Sequence, residues 1–167
     1  RVDGQLQKIS LSIVGFVYIG WMFGHLGFLA NADHAYGYLL YLVFAVGIND
    51  VAAFTCGKLF GRSGRHKLRS NISPNKTWSG ALGGLAAGTI VGVVAGPYLG
   101  VDLPQTGLIA IAAILSVTSI TGDLLQSAWK RSFDVKDSGA ILPGHGGILD
   151  RIDGLIPASI LASIILR

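Results

Sequence analysis

Apolar residues along the chain fall into five blocks separated by shorter polar stretches. A helix that spans a bilayer needs about 20 consecutive, mostly apolar residues. The blocks at 9–29, 38–60, 80–99, 108–129 and 155–166 read as such spans, the last of them short. The third is dominated by glycine and alanine, including GALGGLAAG at 80–88. Small residues let membrane helices approach closely, so this span belongs inside a bundle. The pattern predicts an all-α, polytopic transmembrane helical bundle of about five spans. With no repeat and no low-complexity linker, residues 1–167 read as one membrane-embedded domain.

Composition agrees. Only 13% of the residues are charged, against roughly 25% in a soluble domain. Every acid is Asp, and Glu is absent. The chain opens on Arg1 rather than Met, which reads as a piece of a longer protein lacking N-terminal spans, and no signal peptide is visible. The single Cys56 has no partner for an internal disulfide and sits in an apolar run, as a small buried thiol does. A net charge of +4 raises nucleic acid as a partner, but the distribution excludes it. Stretches 31–37 and 100–107 carry no Lys or Arg. Stretch 61–79 holds Arg62, Arg65, Lys67, Arg69 and Lys76, and 130–154 holds Lys130, Arg131, Lys136 and Arg151. The positive-inside rule puts the two basic stretches in the cytoplasm, where they also serve as anchors for anionic lipid or phosphate.

Polar residues inside the spans narrow the chemistry. In the fourth span Ser116, Ser119, Asp123, Gln126, Ser127 and Lys130 recur at helical spacing, forming one polar stripe on an apolar helix. Such a stripe faces protein or water, and the buried carboxylate of Asp123 requires a cation, a donor or a proton. The second span carries Asn49 and Asp50 in FAVGINDVAAF, to which the same reasoning applies. The densest cluster is LPGHGGILDRIDG at 142–154. Its glycines free backbone N–H groups to meet an anion. An apolar helix is expected to begin at Ile148, placing Asp150 and Asp153 on one face of its first turn. Helix capping accounts for one of these acids, but less well for Asp150, Arg151, Asp153, His145 and the glycines together. Asp123 ends one span and Asp150 opens the next. Carboxylates so placed suit Mg²⁺, which binds one or two carboxylates plus substrate phosphates, while Lys130, Arg131, Lys76 and Arg151 neutralise a polyphosphate. His145 is a weak zinc signal without partners at ligand spacing, and His25, His34 and His66 look incidental.

The run SAWKRSFDVKDSGAILPGHGGILDRIDG at 127–154 closely resembles the signature of the phosphatidate cytidylyltransferases (CDP-diacylglycerol synthases). SPNKTW at 73–78 and GDLLQS at 122–127 resemble two further family elements, and with NDVAAFTCGKLFGR at 49–62 the likeness covers most of the chain from Asn49 onward. The resemblance implies a nucleotidyltransferase of phospholipid biosynthesis that makes CDP-diacylglycerol and pyrophosphate from CTP and phosphatidate. It implies Mg²⁺ as cofactor and a bacterial inner membrane with the active site facing the cytoplasm. CTP, phosphatidate, membrane lipids and a second copy of the chain are the partners it suggests. By similarity Asp123 and Asp150 hold the metal, and Lys130, Arg131, Lys76 and Arg151 contact phosphates. Ser73, Asn75 and Thr77 shape the nucleotide side. Asp153 and His145 support the metal ligands or touch substrate, Gly146 and Gly147 bind substrate, and Asp50 lines the polar chamber. Two positions depart from the family pattern: Ser79 and Gln126 stand where acids are usual.

Three other readings share some of these features. A CTP-dependent polyprenol or phytol kinase would release CDP instead of pyrophosphate. An ion-coupled transporter would use Asp50 and Asp123 as cation or proton sites, although the densest polar cluster lies in a loop. A catalytically dead scaffold would follow if the two missing acids were indispensable.

Overall fold

The computed structural model describes residues 2–61, 67–69, 73–139 and 147–166, without the side chains at 2, 3, 7, 69, 74 and 75. The first apolar block forms one helical rod, made of α1 (Val2–Gly15), a π-helical stretch (Phe16–Met22) and α2 (Phe23–Ala30). Then come α3 (Ala35–Phe60), an antiparallel hairpin of β1 (Lys67–Arg69) and β2 (Ser73–Thr77), α4 (Trp78–Ala95), a 3-10 turn (Pro97–Leu99), α5 (Gln105–Ser132) and α6 (Leu155–Ile165). Gly4–Ala30, Ala35–Phe60, Trp78–Ala95 and Gln105–Ser132 are long and apolar enough to cross a membrane. The all-α polytopic bundle is therefore present and the chain is an integral membrane protein, but α6 is a shorter apolar helix of 11 residues.

Two departures from the apolar pattern shape the site. The hairpin lies in a segment too polar to signal a strand; it pairs Lys67 with Thr77 and Arg69 with Ser73. The helix expected from Ile148 begins instead at Leu155. Before it the chain turns twice, with Asp150 N bonded to the Gly147 carbonyl and Arg151 N to that of Ile148. The Asp153 carboxylate then accepts from Gly154 N at 2.8 Å, a local bond that competes with helix. Asp150 and Asp153 thus sit in turns, not on a helix face.

The tightest packing joins α3 to α4. Gly80, Gly84, Gly88 and Gly92 are all buried, one every four residues along a single face of α4. A Cβ at Gly84 would fall 2.7 Å from the Asn49 carbonyl oxygen, and one at Gly88 would fall 3.0 Å from that of Ala45 and 2.5 Å from Ser116 Oγ. The backbones of α3 and α4 therefore touch, with α5 against the same seam. The buried face of α5 runs Leu108, Ile111, Leu115, Ser119, Gly122 and Gln126, and Gly122 admits Pro157 at the start of α6. Leu29, Leu42, Leu115, Ala158 and Ala162 fill the apolar core between the helices. Val51, Phe60, Leu82, Ile90 and Val94 are exposed, as suits side chains facing lipid.

Replacing Gly84 with Ala is expected to destabilise the bundle by about 1–3 kcal/mol, because the new methyl group meets backbone. Gly47→Ala, where a Cβ meets nothing within 4 Å, should cost nothing. Unfolding midpoints in detergent check this, and equal midpoints for the two variants would contradict the close α3–α4 seam.

Candidate functional site

The seam between α3, α4 and α5 ends in a cavity of about 580 Å³. The hairpin and the 147–154 turns close over the same end, so both basic stretches lie together. From α3 the cavity receives Asp50, whose Oδ1 accepts from Asn49 Nδ2 at 3.1 Å and from Ser119 Oγ of α5 at 3.0 Å. The polar stripe expected on α5 does face protein, with Ser116, Ser119 and Gln126 fully buried. One turn beyond Ser119, the Asp123 carboxylate forms an ion pair with Lys76 of β2 and accepts from Ser127 Oγ at 3.4 Å.

Asp153 stands beside Asp123. It is buried, and its carboxyl is pushed up to about 7, first by burial and then by the Asp123 carboxylate next to it. Asp150 is in the opposite condition. Its Oδ1 takes Lys130 Nζ at 2.7 Å, and its Oδ2 takes the amides of Ser138 and Gly147, each at 2.8 Å. Desolvation raises its carboxyl, but these donors outweigh that and hold it at about 2. Asp150 therefore latches the two sides of the 138–147 segment together. The sequence paired Asp123 with Asp150 as metal ligands; in the structure both line the cavity and both meet protein donors, Asp123 taking Lys76 and Ser127, and Asp150 taking Lys130 and two amides.

The cavity is lined by Asp50, Ser73, Lys76, Thr77, Asp123, Asp150, Arg151 and Asp153 among the residues singled out from sequence. Lys130, Arg131 and Gly147 are not on its wall. Lys130 acts through Asp150, Arg131 is exposed and bonds the Val135 carbonyl, and Gly147 donates its amide to Asp150. His145, Gly146 and the Asn75 side chain lie outside the described residues. Thr77 also caps α4, its hydroxyl accepting from Gly80 N at 3.1 Å, so the N-terminal turn of α4 opens onto the cavity.

Sequence reasoning missed the rest of the α3 wall, namely Ala53, Phe54, Gly57 and Lys58. With Asp50 these positions follow the i, i+3, i+4, i+7, i+8 pattern of one helix face, a signal that was readable once Asp50 was assigned to a chamber. Lys58 Nζ stands 5.9 Å from the Phe54 ring centroid and, among the described residues, has no carboxylate partner. Phe54 is 72% exposed while lining the cavity, so this wall is continuous with the outer, apolar surface of α3.

Neither position where the family pattern has an acid reaches the cavity. Gln126 is buried against the turns, its Nε2 donating to the Leu149 carbonyl at 2.9 Å. Ser79 bonds the capping hydroxyl of Thr77 at 3.1 Å.

Among the described residues no three Asp, His or Cys side chains converge to hold a metal unaided. Asp123 and Asp153 offer two adjacent hard-oxygen donors that repel one another, a set fitted to a divalent cation whose remaining ligands come from phosphate. With Lys76 and Arg151 on the same wall, the site can bind a polyanion and a metal together.

Comparison with known proteins points the same way. The phosphatidate cytidylyltransferase of Staphylococcus haemolyticus is 42% identical over 156 residues, 93% of this chain and 57% of that protein. That of Mycobacterium leprae is 39% identical over 161 residues, 96% of this chain and 50% of that protein. That of Brucella suis is 43% identical over 139 residues, 80% of this chain and 48% of that protein. The chain thus spans about half the length of the curated relatives it matches. Residues 1–167 match the Cytidylyltransferase family throughout, and the chain belongs to that family.

Proposed function

We propose that this chain carries the catalytic site of a phosphatidate cytidylyltransferase, joining the cytidylyl group of CTP to phosphatidate. A phosphate oxygen of the lipid forms a bond to the α-phosphorus of CTP, the bond from that phosphorus to the β-phosphate oxygen breaks, and pyrophosphate leaves. The observation that carries this reading is the Asp123–Asp153 carboxylate pair facing a cavity shared with Lys76 and Arg151. Family membership and the names of the relatives support it.

Phosphoryl-type transfers need in-line positioning and charge neutralisation more than covalent catalysis. Asp123 and Asp153 would hold Mg²⁺, which supplies charge neutralisation at the phosphates. Lys76, already at Asp123, and Arg151 would contact phosphate oxygens, assisted by the positive end of the α4 dipole. Ser73, Asn75 and Thr77 would border the nucleotide. Lys130 and Asp150 would fix the backbone at Ser138 and Gly147. Asp50, held by Asn49 and Ser119, adds a further carboxylate to the acidic wall. Lys58 and Phe54 would receive the lipid phosphate where the cavity meets the outer face of α3. The positive-inside rule supports a cytoplasmic face for this end, in a bacterial inner membrane.

With the full-length protein in detergent, pyrophosphate is expected only when CTP, phosphatidate and Mg²⁺ are all present; CDP as the product would turn the assignment to a lipid kinase. Lys58→Gln should raise KM for phosphatidate several-fold, as expected for a lost contact to a charged group, and leave KM for CTP unchanged. An equal rise in both would remove Lys58 from the lipid side.

The Asp153 carboxyl makes a further prediction. Its folded value of about 7 lies above the ordinary value of about 3.9, so the proton it holds stabilises the fold fully below about pH 4. That stability is lost as pH rises through about 7. Metal-free protein should therefore unfold more easily at pH 8 than at pH 5, and Asp153→Asn should flatten that slope. An unchanged slope in the variant contradicts the assignment.

A further inference from the structure

The helix α3 has two unlike faces. Tyr41, Ala45 and Asn49 are buried against the glycine face of α4. Val43, Gly47, Val51, Phe54 and Lys58 stand three or four residues apart on another face, and all five are exposed. Phe54 and Lys58 also line the cavity. The stripe therefore starts inside the site and runs outward along the helix, and between its two ends every side chain is apolar or absent.

Gly47 interrupts this stripe. A Cβ there would meet nothing within 4 Å, so the helix backbone is bare at that point. Glycine inside a helix is destabilising relative to alanine. The glycines of α4 offset that cost by admitting α3, whereas Gly47 admits no residue among those described. Gly4, Gly24 and Gly27 are equally bare, but their helices contribute nothing to the cavity wall. Gly47 forms a notch in line with Phe54, two helical turns further along the same helix.

The depth of the notch matches one leaflet of a bilayer. Lys58 lies in the last turn of α3, and long cationic side chains near a helix end carry their charge at headgroup level. Half of a hydrocarbon core of about 30 Å is about 15 Å, which is about ten residues of helix. Counted back from Lys58, that distance ends beside Gly47. A lipid whose phosphate meets Lys58 thus lays an acyl chain along Phe54 and Val51 and brings its terminal methyl group to the notch. Within a bilayer the hydrophobic effect does not favour this helix over other lipid. Close van der Waals packing does, and bare backbone allows the closest approach.

We propose that this stripe is the seat of one acyl chain of the lipid substrate, running from Lys58 past Phe54 to Gly47, and that Gly47 sets the chain length the site prefers. The headgroup, a phosphate monoester, rests on the cytidylyltransferase reading above; the seat rests on the face of α3.

The test uses the full-length protein in detergent and a phosphatidate carrying a photoreactive diazirine at the end of one acyl chain, without CTP. Crosslinks are expected on residues 43–51 of α3, prevented by unlabelled phosphatidate but not by the same amount of phosphatidylcholine. In turnover, Gly47→Leu should lower kcat/KM for dioleoyl phosphatidate relative to dioctanoyl phosphatidate by about tenfold, the scale of a methylene-sized misfit in an apolar pocket. Its KM for CTP and its unfolding midpoint should stay at the wild-type values. Ile90→Phe, at an exposed position of α4, should leave the chain-length ratio unchanged. Crosslinks elsewhere, or equal competition by phosphatidylcholine, overturn the inference. So does a lowered midpoint in Gly47→Leu with no change in the ratio, which would mean that protein covers this face. Specific capture of the probe by a wild type that makes no pyrophosphate overturns the reaction proposed above and supports the seat.

Discussion

Two carboxylates held side by side within a largely apolar bundle are the constraint on which the rest of the site depends. Burial and the neighbouring Asp123 carboxylate push the Asp153 carboxyl up to about 7, so ionising both acids together is costly and the scaffold must hold them in place. The compulsion comes from several directions. Gly122 and Gly154 let the turns before α6 press onto α5. The Lys130–Asp150 ion pair and the amides of Ser138 and Gly147 fix the other end of those turns. Lys76 reaches in from β2 to balance Asp123, and the glycine face of α4 brings α3 close enough for Asp50 to share Ser119 with α5. The repulsion that remains is what a cation would relieve.

Much of this was legible in the sequence because the bilayer simplifies the rules. Apolar length gave the spans, and the cost of burying polar groups singled out Asp50, Asp123 and the α5 stripe before any geometry was known. The apolar block at 155–166 matches α6, but the helix expected from Ile148 does not form, because Gly154 and the local bond of Asp153 hold the preceding residues in turns. That difference sets Asp150 and Asp153 in turns instead of on one helix face. Their spacing is the same under either reading; which carboxylate is spent on backbone amides is a property of the folded loop. The hairpin was hidden by its polarity.

The two neutral residues at positions where acids are usual have a physical account. A carboxylate cannot donate to a carbonyl, whereas the amide of Gln126 does so, to Leu149; in this chain the position serves the turn and not the cavity. Ser79 supports the cap of α4 through Thr77. Neither touches the wall where the carboxylates and cations gather.

The most direct test of the central claim is to locate a bound divalent cation by anomalous scattering from Mn²⁺ in crystals of the full-length protein with a non-hydrolysable CTP analogue. The account predicts a peak between the carboxylates of Asp123 and Asp153, with the Lys130–Asp150 pair intact. A peak on Asp150 with Lys130 displaced, or none near Asp153, would contradict it.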